Sequence, residues 1–285
     1  QVVNTYKKLS LLPFINNERI DLIIWPETAY PFPINTTNDD LSKTILPPVF
    51  GEIIQEQMSQ MLVGGYDHFK ESVDGSHFQT EYNTAFFIDS MGTLKDTFHK
   101  HVLIPFGETL PLGKYNSLVS KYVPEMAFFA EGKRFPTFTL DSGVKFFTNI
   151  CYELIRPEFI RKYLNTMDSS PQMIVNLTND PWYGDTVEPE QHLFLARWRA
   201  LEFDLPILRS TNTGISTYIN KNGTEIRRLA YGKTGNLDLK VAVEPPHGPT
   251  IFQKYGFLTI LPLWLFYFIF HILLIKLRHA KNNPT

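Results

Sequence analysis

The sequence is short of cysteine and of net charge. Cys151 is the only cysteine among the 285 residues, which excludes an intrachain disulfide and a zinc site built from several cysteines. The 27 Lys and Arg residues nearly balance the 29 Asp and Glu residues, and a net charge of −2 offers no basic excess for nucleic-acid binding. Because 43% of the residues are hydrophobic and 14% are aromatic, the composition indicates a packed globular chain and excludes general disorder.

Charged residues are also missing from a long stretch near the C-terminus. Phe257–Leu277 contains no Asp, Glu, Lys or Arg before Lys276. A membrane helix needs roughly 20 apolar residues, so we predict that residues 257–277 span a membrane. A buried core helix is the alternative, but the length and the aromatic bulk of the run favour the span. Because basic residues close the sequence, the positive-inside rule predicts that residues 278–285 form a cytoplasmic tail and that the preceding domain lies on the opposite side of the membrane.

Residues 1–250 alternate strand-like and helix-like segments, which predicts an α/β domain whose sheets are covered by helices. The predicted strands are apolar or β-branched runs: Leu22–Trp25, Met61–Gly65, Thr84–Asp89, Val144–Ile150, Met173–Leu177, Ile207–Thr211 and Ile215–Ile219. The predicted helices are Val2–Leu12, Leu41–Gln57, Pro157–Asn165 and Pro189–Phe203. Turns are expected at Gly64-Gly65, Ser142-Gly143 and Asn222-Gly223.

Three segments place a reactive side chain at or near the end of a predicted strand. Glu27 lies in IIWPETAYP, Lys100 and Glu108 lie in FHKHVLIPFGETLP, and Cys151 and Glu153 lie in FFTNICYELIRP. Taken singly, a carboxylate or a lysine in such a place is usually solvated. A lone cysteine beside an apolar strand is more often a small core residue than a nucleophile.

Taken together, these residues have the composition of a nucleophilic site. Glu27 could accept the thiol proton of Cys151, because a thiol needs a base to become a thiolate. The ammonium group of Lys100 could lower the thiol pKa and stabilise the oxyanion of a tetrahedral intermediate. The backbone N–H of Tyr152 is a candidate for a second oxyanion donor. No histidine motif suits a Cys-His pair.

These motifs resemble the nitrilase superfamily of carbon–nitrogen hydrolases, and within it the membrane-bound apolipoprotein N-acyltransferases. The resemblance rests on WPET, PFGE and ICYE, and it continues through NLTNDPWYGD, EQHLFLARWRALE and RSTNTGIS. It implies a nitrilase-like αββα sandwich followed by a C-terminal transmembrane helix. Compared with that family, we expect this sequence to lack the N-terminal membrane bundle and the first strand of the domain.

The resemblance also implies a role for each residue of the site. Glu27 corresponds to the general base, Lys100 to the group that stabilises the transition state, and Cys151 to the nucleophile. Three further residues match supporting positions of the family, where the carboxylates orient the lysine and balance its charge: Glu108, Tyr152 and Glu153. No metal ion or organic cofactor is implied.

Four aromatic residues are candidates for substrate binding. Trp182 and Tyr183 either wall the thiol pocket or plug an Asx-type turn. Phe128 and Phe129 belong to residues 113–135, an apolar segment with basic residues around it. This segment either covers the core or forms a lid that contacts the bilayer and admits acyl chains.

The function implied by the resemblance is N-acyl transfer at the bacterial inner membrane, with the catalytic domain in the periplasm. A phospholipid would donate an acyl chain to Cys151 as a thioester, and the α-amino group of the lipidated N-terminal cysteine of an apolipoprotein would accept it. A nitrilase-type amidase acting on a small C–N substrate is the alternative, because it would use the same three residues. A non-catalytic membrane scaffold is a further alternative, and the complete set of Glu27, Lys100 and Cys151 argues against it.

Overall fold

Two β-sheets packed face to face form the centre of the computed structural model. The structure describes residues 1–12, 19–37, 40–73, 76–109, 129–180 and 186–282. The first sheet has the strand order β1-β2-β3-β4: Leu22–Ile34 (β1), Gln60–Val73 (β2), Ser76–Ile88 (β3) and Leu94–His99 (β4). Strands β1 and β2 are parallel, whereas β2, β3 and β4 pair in antiparallel fashion.

The second sheet has the order β10-β9-β8-β7-β6-β5. Its strands are Phe138–Thr139 (β5), Lys145–Ile150 (β6), Met173–Thr178 (β7), Ile207–Thr211 (β8), Ser216–Ile219 (β9) and Glu225–Leu229 (β10). Strands β6, β7 and β8 are parallel and form the middle of the sheet. Their carboxyl ends therefore meet at one edge, where loops carry functional residues in sheets of this kind.

Helices cover the outer face of each sheet. The first sheet is covered by Val2–Ser10 (α1) and Pro48–Gln57 (α2), and the second by Pro157–Thr166 (α3) and Glu188–Phe203 (α4). The side-chain alternation of β2 shows the layering, because Met61 and Val63 pack with the α1 and α2 side while Leu62 packs into the core between the sheets. The order helix, sheet, sheet, helix is the sandwich predicted from the sequence.

The predicted helix Leu41–Gln57 is wrong in its first half. A short 3-10 turn occupies Leu41–Lys43, and α2 begins only at Pro48. Pro47 has an extended ψ of 136° and precedes a second proline, so the chain does not continue as a helix through this point. Pro48 is tolerated at the first helical position, where its missing N–H leaves no hydrogen bond unmade.

The predicted turn at Gly64-Gly65 is also wrong. Both glycines lie inside β2, opposite Ala85 and Thr84 of β3. The missing side chain of Gly64 serves a close backbone approach and not a reversal of the chain. The other two predicted turns are present, and Gly143 and Gly223 have the positive φ angles of 85° and 71° that such turns require.

An apolar helix leaves the sandwich at the C-terminus. The chain forms a short helix at Ile251–Tyr255 (α5), a 3-10 turn at Gly256–Ile260 and a long helix at Leu261–Asn282 (α6). Within the described part of the chain, residues 251–276 are the one candidate span that is long and apolar enough to cross a membrane, and none of that apolar stretch is buried in the protein. A helix in the core of this domain would have most of that stretch covered, so the absence of burial favours the predicted span.

Candidate active site

Glu27 stands where β1 departs from regular pairing with β2. The register runs without interruption from Leu22 to Trp25 and is shifted when pairing resumes at Tyr30. Thr28 has a positive φ of 52°, an uncommon conformation for a residue with a branched side chain. This irregularity turns the Glu27 side chain into the protein, where it is only 4% exposed.

Lys100 follows β4 directly, and both its backbone N–H and its backbone carbonyl are hydrogen-bonded. Its N–H donates to the Asn83 carbonyl at 2.8 Å, and its own carbonyl accepts from the Gly132 N–H at 2.8 Å. The side chain is 1% exposed. A lysine is almost never buried to this degree without an anionic partner, and here it has two.

Glu27 and Glu108 are these two partners of the Lys100 ammonium group. Lys100 Nζ lies 3.2 Å from Oε1 of Glu27 and 2.7 Å from Oε1 of Glu108. Asn83 donates from Nδ2 to the same two oxygens, at 2.8 and 3.1 Å. Oε2 of Glu108 accepts from the Ile104 N–H at 2.9 Å. Oε2 of Glu27 is buried and has no hydrogen-bond partner among the described residues, so it is free to accept a proton.

Cys151 follows β6 directly and begins a 3-10 turn, Cys151–Ile155. Its φ is +53°, so the thiol sits on a sharp, strained connection between a strand and a helical turn. Glu153 fixes this connection by accepting from the Ile150 N–H at 2.7 Å. The other oxygen of Glu153 accepts from the N–H groups of His101 and Val102, at 2.6 and 3.0 Å. One carboxylate thus ties the nucleophile candidate to the segment that follows Lys100.

The ionisable groups Glu27, Lys100 and Cys151 of the site are buried, and their pKa values depend on one another. Burial opposes the charged form of Lys100, but the nearby negative charge, first of all that of Glu27, outweighs burial and raises the pKa of Lys100. Burial raises the pKa of Cys151, Glu27 raises it further, and Lys100 opposes both. Burial also raises the pKa of Glu27. At neutral pH the site therefore combines an ammonium group with a protonated thiol, which needs a base in order to react.

Glu153 is the second buried carboxylate with a raised pKa. Burial raises the pKa of Glu153 to about 7, and the three backbone N–H donors act in the opposite direction by favouring its ionised form. Within the described part of the chain Glu153 makes no ion pair with the Lys100 ammonium group within 4.0 Å, and its contact with this segment is to the backbone N–H groups of residues 101 and 102. The charge of Lys100 still acts on Glu153, because it opposes the rise of the Glu153 pKa.

Phe129 is the one of the four predicted substrate-binding residues that lies among the described residues. Phe129 stacks on Tyr66 with 5.6 Å between ring centroids, and its N–H donates to the Glu108 carbonyl at 3.1 Å, so it borders the site. Trp182, Tyr183 and Phe128 lie outside the described residues. Tyr152 is half-buried beside the thiol. Across the described ranges, no group of three or more His, Cys, Asp or Glu side chains could hold a metal ion.

Asn83 lies at the candidate site and was not predicted from the sequence. It is 2% exposed and joins both carboxylates that face Lys100. The available signal was an asparagine two positions before the apolar run Ala85–Ile88 of β3, since asparagine is depleted in strands. The pairing of Asn83 with Glu27, 56 positions away, could not be read from spacing.

Gly64 is expected to be essential for the placement of Glu27. A Cβ at Gly64 would lie 2.2 Å from the Pro26 carbonyl oxygen and 2.7 Å from Glu27 Cα. Gly64→Ala must therefore push the Glu27 backbone away or distort β2. Overpacking of this kind costs about 1–3 kcal/mol, so we expect a lower Tm in thermal unfolding together with a loss of activity.

Gly51→Ala is the matched control. Gly51 lies within α2, and a Cβ there would meet nothing within 4 Å. Alanine in a helix interior is favoured over glycine by up to about 1 kcal/mol, so this variant should be active and at least as stable as the wild type. A Gly64→Ala variant that melts and reacts like the wild type would show that the close approach does not matter.

The sequence matches a known family and named relatives. The sequence model of the family described as carbon-nitrogen hydrolase matches residues 2–243. The chain is 33% identical over 243 residues to a protein named apolipoprotein N-acyltransferase from Rhizobium rhizogenes, covering 83% of this chain and 43% of the relative. It is 31% identical over 268 residues to a protein of the same name from Bradyrhizobium diazoefficiens, covering 92% and 46%. The chain thus spans less than half the length of these curated relatives.

Solved structures show the same fold at low sequence identity. An amidase from Nesterenkonia sp. superposes with a TM-score of 0.52 and 15% identity, covering 82% of this chain and 80% of that one. Saccharomyces cerevisiae Nit3, a member of branch 10 of the nitrilase superfamily, superposes with a TM-score of 0.51 and 16% identity, covering 75% and 73%. The predicted nitrilase-like fold is confirmed, and at these identities the likeness concerns the fold alone.

Proposed function

Because this chain belongs to the carbon–nitrogen hydrolase family, we propose that it carries the catalytic domain of an apolipoprotein N-acyltransferase with Cys151 as its nucleophile. The observation that carries the chemistry is the buried ion pair of Lys100 and Glu27, coupled electrostatically to Cys151 on a strained turn. Relatives named apolipoprotein N-acyltransferase support the choice of acyl transfer, and the exposed apolar helix supports a membrane substrate.

In the first half-reaction Glu27 accepts the thiol proton, and the sulfur of Cys151 attacks the ester carbonyl of a phospholipid. A C–S bond forms and the negative charge moves to the carbonyl oxygen. Lys100 stabilises this oxyanion, and the N–H of Tyr152 is proposed as a second donor. When the ester C–O bond breaks, the leaving lysophospholipid oxygen takes the proton from Glu27. The product is a thioester on Cys151.

In the second half-reaction the α-amino group of a lipidated N-terminal cysteine attacks the thioester. Glu27 accepts a proton from the attacking nitrogen, the C–S bond breaks and the proton passes to the sulfur. An amide is formed and the free thiol returns. A thioester suits this sequence because it reacts readily with amines and only slowly with water.

We propose roles for the supporting residues on the basis of their contacts. Glu108 orients Lys100 through the 2.7 Å ion pair and balances its charge. Asn83 donates to both carboxylates and keeps their Oε1 atoms directed at the ammonium group of Lys100. Glu153 fixes the backbone on both sides of the reaction centre. Phe129, packed on Tyr66, is proposed to line the entrance for the acyl chain.

A two-substrate assay tests this function against the amidase alternative. The protein is incubated with phosphatidylethanolamine vesicles, with and without a diacylated lipopeptide that has a free α-amino group. We expect an N-acylated lipopeptide and one equivalent of lysophospholipid. Release of free fatty acid alone, or hydrolysis of small amides without any transfer, would assign the domain to the hydrolases.

Lys100→Arg is expected not to restore function, although it keeps the positive charge. The ammonium group occupies a closed space between two carboxylates and an amide, and the planar guanidinium group is larger and donates in a fixed fork. We expect acylation to fall on the order of 10²-fold, the effect of losing one preorganised oxyanion donor. Near-native acylation by Lys100→Arg would mean that Lys100 supplies only charge and no positioned donor.

The membrane orientation gives a separate prediction. We propose that α6 spans the inner membrane with its basic end, which carries Lys276, Arg278 and Lys281, in the cytoplasm and with the catalytic domain in the periplasm. A reporter fused after Thr285 should therefore behave as cytoplasmic. Replacing Lys276, Arg278 and Lys281 with glutamine should weaken this preference. A periplasmic signal from the unmodified fusion would overturn the orientation.

A further inference from the structure

Glu27 and Cys151 come from different sheets. Glu27 follows the regular part of β1 in the first sheet, and Cys151 follows β6 in the second. Their separation therefore depends on contacts that tie the two sheets together at this edge. A displacement of about 1 Å in a reacting group can cost on the order of 10² in rate, so such contacts matter for catalysis.

Asn212 provides a tie of this kind. It lies just after β8, in the second sheet, and its Nδ2 donates to the backbone carbonyl of Glu27 at 2.7 Å. A carbonyl only accepts hydrogen bonds, which fixes the orientation of the Asn212 amide. The same Nδ2 donates to Oδ1 of Asn179 at 3.1 Å, and the backbone N–H of Asn212 donates to the Thr178 carbonyl at 3.1 Å.

Two further contacts complete the network around the Glu27 backbone. Asn179 donates from Nδ2 to the hydroxyl of Thr28 at 3.1 Å, so the residue after Glu27 is held from the same sheet. The hydroxyl of Tyr6, on α1, donates to Oδ1 of Asn212. Thr28 has a positive φ of 52°, and a strained conformation of this kind persists only when its surroundings hold it.

We propose that Asn212 is a positioning residue that holds Glu27 at its working distance from Cys151. It acts on the base through the backbone carbonyl of Glu27. This inference rests on the proposed function, because it assigns Asn212 to the step in which Glu27 accepts the thiol proton. Gly64 restrains the same peptide segment from the neighbouring strand β2, so Glu27 is held from two sides.

The test compares Asn212→Ala with the wild type in single-turnover acylation of the full chain by phosphatidylethanolamine vesicles. We expect the acylation rate constant to fall roughly 10- to 100-fold, with an unchanged phospholipid concentration for half-saturation. Alkylation of Cys151 by iodoacetamide should be nearly unchanged, because it needs no positioned base. A merely structural role would instead lower the melting temperature and affect both reactions alike.

Asn236→Ala is the matched control. Asn236 also donates from Nδ2 to a backbone carbonyl at 2.7 Å, that of Leu9, but it is exposed and away from the site. It should acylate at the wild-type rate. If Asn212→Ala fails to fold, Asn212→Asp preserves the shape while removing the donor. Its acylation should also fall, and the acidic limb of its pH–rate profile should move to higher pH because the added negative charge raises the pKa of Glu27.

The outcomes separate this inference from the function on which it rests. If the wild type gains no acyl group, the proposed function fails, and the positioning role fails with it. If the wild type is acylated and Asn212→Ala or Asn212→Asp reacts at the wild-type rate, only the positioning role is wrong. An equal loss of acylation in Asn236→Ala and Asn212→Ala would likewise overturn it.

Discussion

Cys151→Ala is expected to abolish both half-reactions. The thiol of Cys151 is the only one in the chain. It follows β6, its side chain is 3% exposed, and its backbone has a strained, positive φ. Without it no thioester can form, and the loss of a nucleophile costs on the order of 10⁶ in kcat in well-studied acyl-transfer enzymes. The check is the transfer of a labelled acyl chain from phospholipid to a diacylated lipopeptide.

Cys151→Ser serves as the near-isosteric companion variant. Its hydroxyl fits the same space but is a far weaker nucleophile, and we expect it to be nearly inactive as well. Both variants should unfold close to the wild-type temperature, because the change in side-chain volume is small. Acyl transfer that survives in Cys151→Ala would show that the nucleophile lies elsewhere.

Glu27→Gln should block acylation while the thiol becomes easier to ionise. The amide cannot accept the thiol proton, and the loss of a general base typically costs about 10²–10⁴ in rate. The negative charge of Glu27 raises the pKa of Cys151, second to burial, so its removal should lower that pKa. We therefore expect the pH profile of iodoacetamide alkylation to move to lower pH while acylation by phospholipid is lost.

The expected change in stability of Glu27→Gln follows from the pKa of Glu27. Burial raises the pKa of Glu27 above its unfolded value, so the stability contributed by its protonated form is lost as the pH rises through the folded pKa. Glutamine is neutral at every pH and avoids this loss, and Lys100 keeps its ion pair with Glu108. The Tm at neutral pH should therefore be equal or higher. Glu52→Gln, which changes an exposed carboxylate on α2, is the control and should retain activity.

A normal thioester yield in Glu27→Gln, with unchanged unfolding, would assign the base to another residue. A joint loss of acylation and of thermal stability would instead identify Glu27 as a structural partner of Lys100. Measuring acylation and thermal unfolding together distinguishes both of these results from the expected one. The variant therefore separates a catalytic from a structural carboxylate.

The buried strands could be predicted closely from the sequence. The predicted Ile207–Thr211 coincides with β8, and the predicted Met173–Leu177 ends one residue short of β7. Both are central parallel strands covered on two faces, and such strands appear as continuous apolar runs. By contrast, β4 and β10 contain several charged residues and were missed. Their pairing with neighbouring strands, rather than their composition, makes them strands.

The site could be predicted only where a motif carries it. Glu27, Lys100 and Glu108 meet around one ammonium group, and each was found through a short run of residues. Asn83 and Asn212 contact Glu27 from positions 56 and 185 residues away, so no local sequence pattern predicts these two contacts. The prediction of a turn at Gly64 was wrong for the same reason. Its role is a close approach to another strand, which becomes visible only after the sheet has formed.

The most direct test of the central claim is mass spectrometry of the protein after incubation with phospholipid vesicles and no acceptor. The account predicts a mass increase of one acyl chain, located on the peptide that contains Cys151 and released by hydroxylamine. Addition of a diacylated lipopeptide should remove the adduct and produce the N-acylated lipopeptide. An unmodified Cys151 peptide under conditions in which transfer to the lipopeptide proceeds, or an adduct on another residue, would contradict the account.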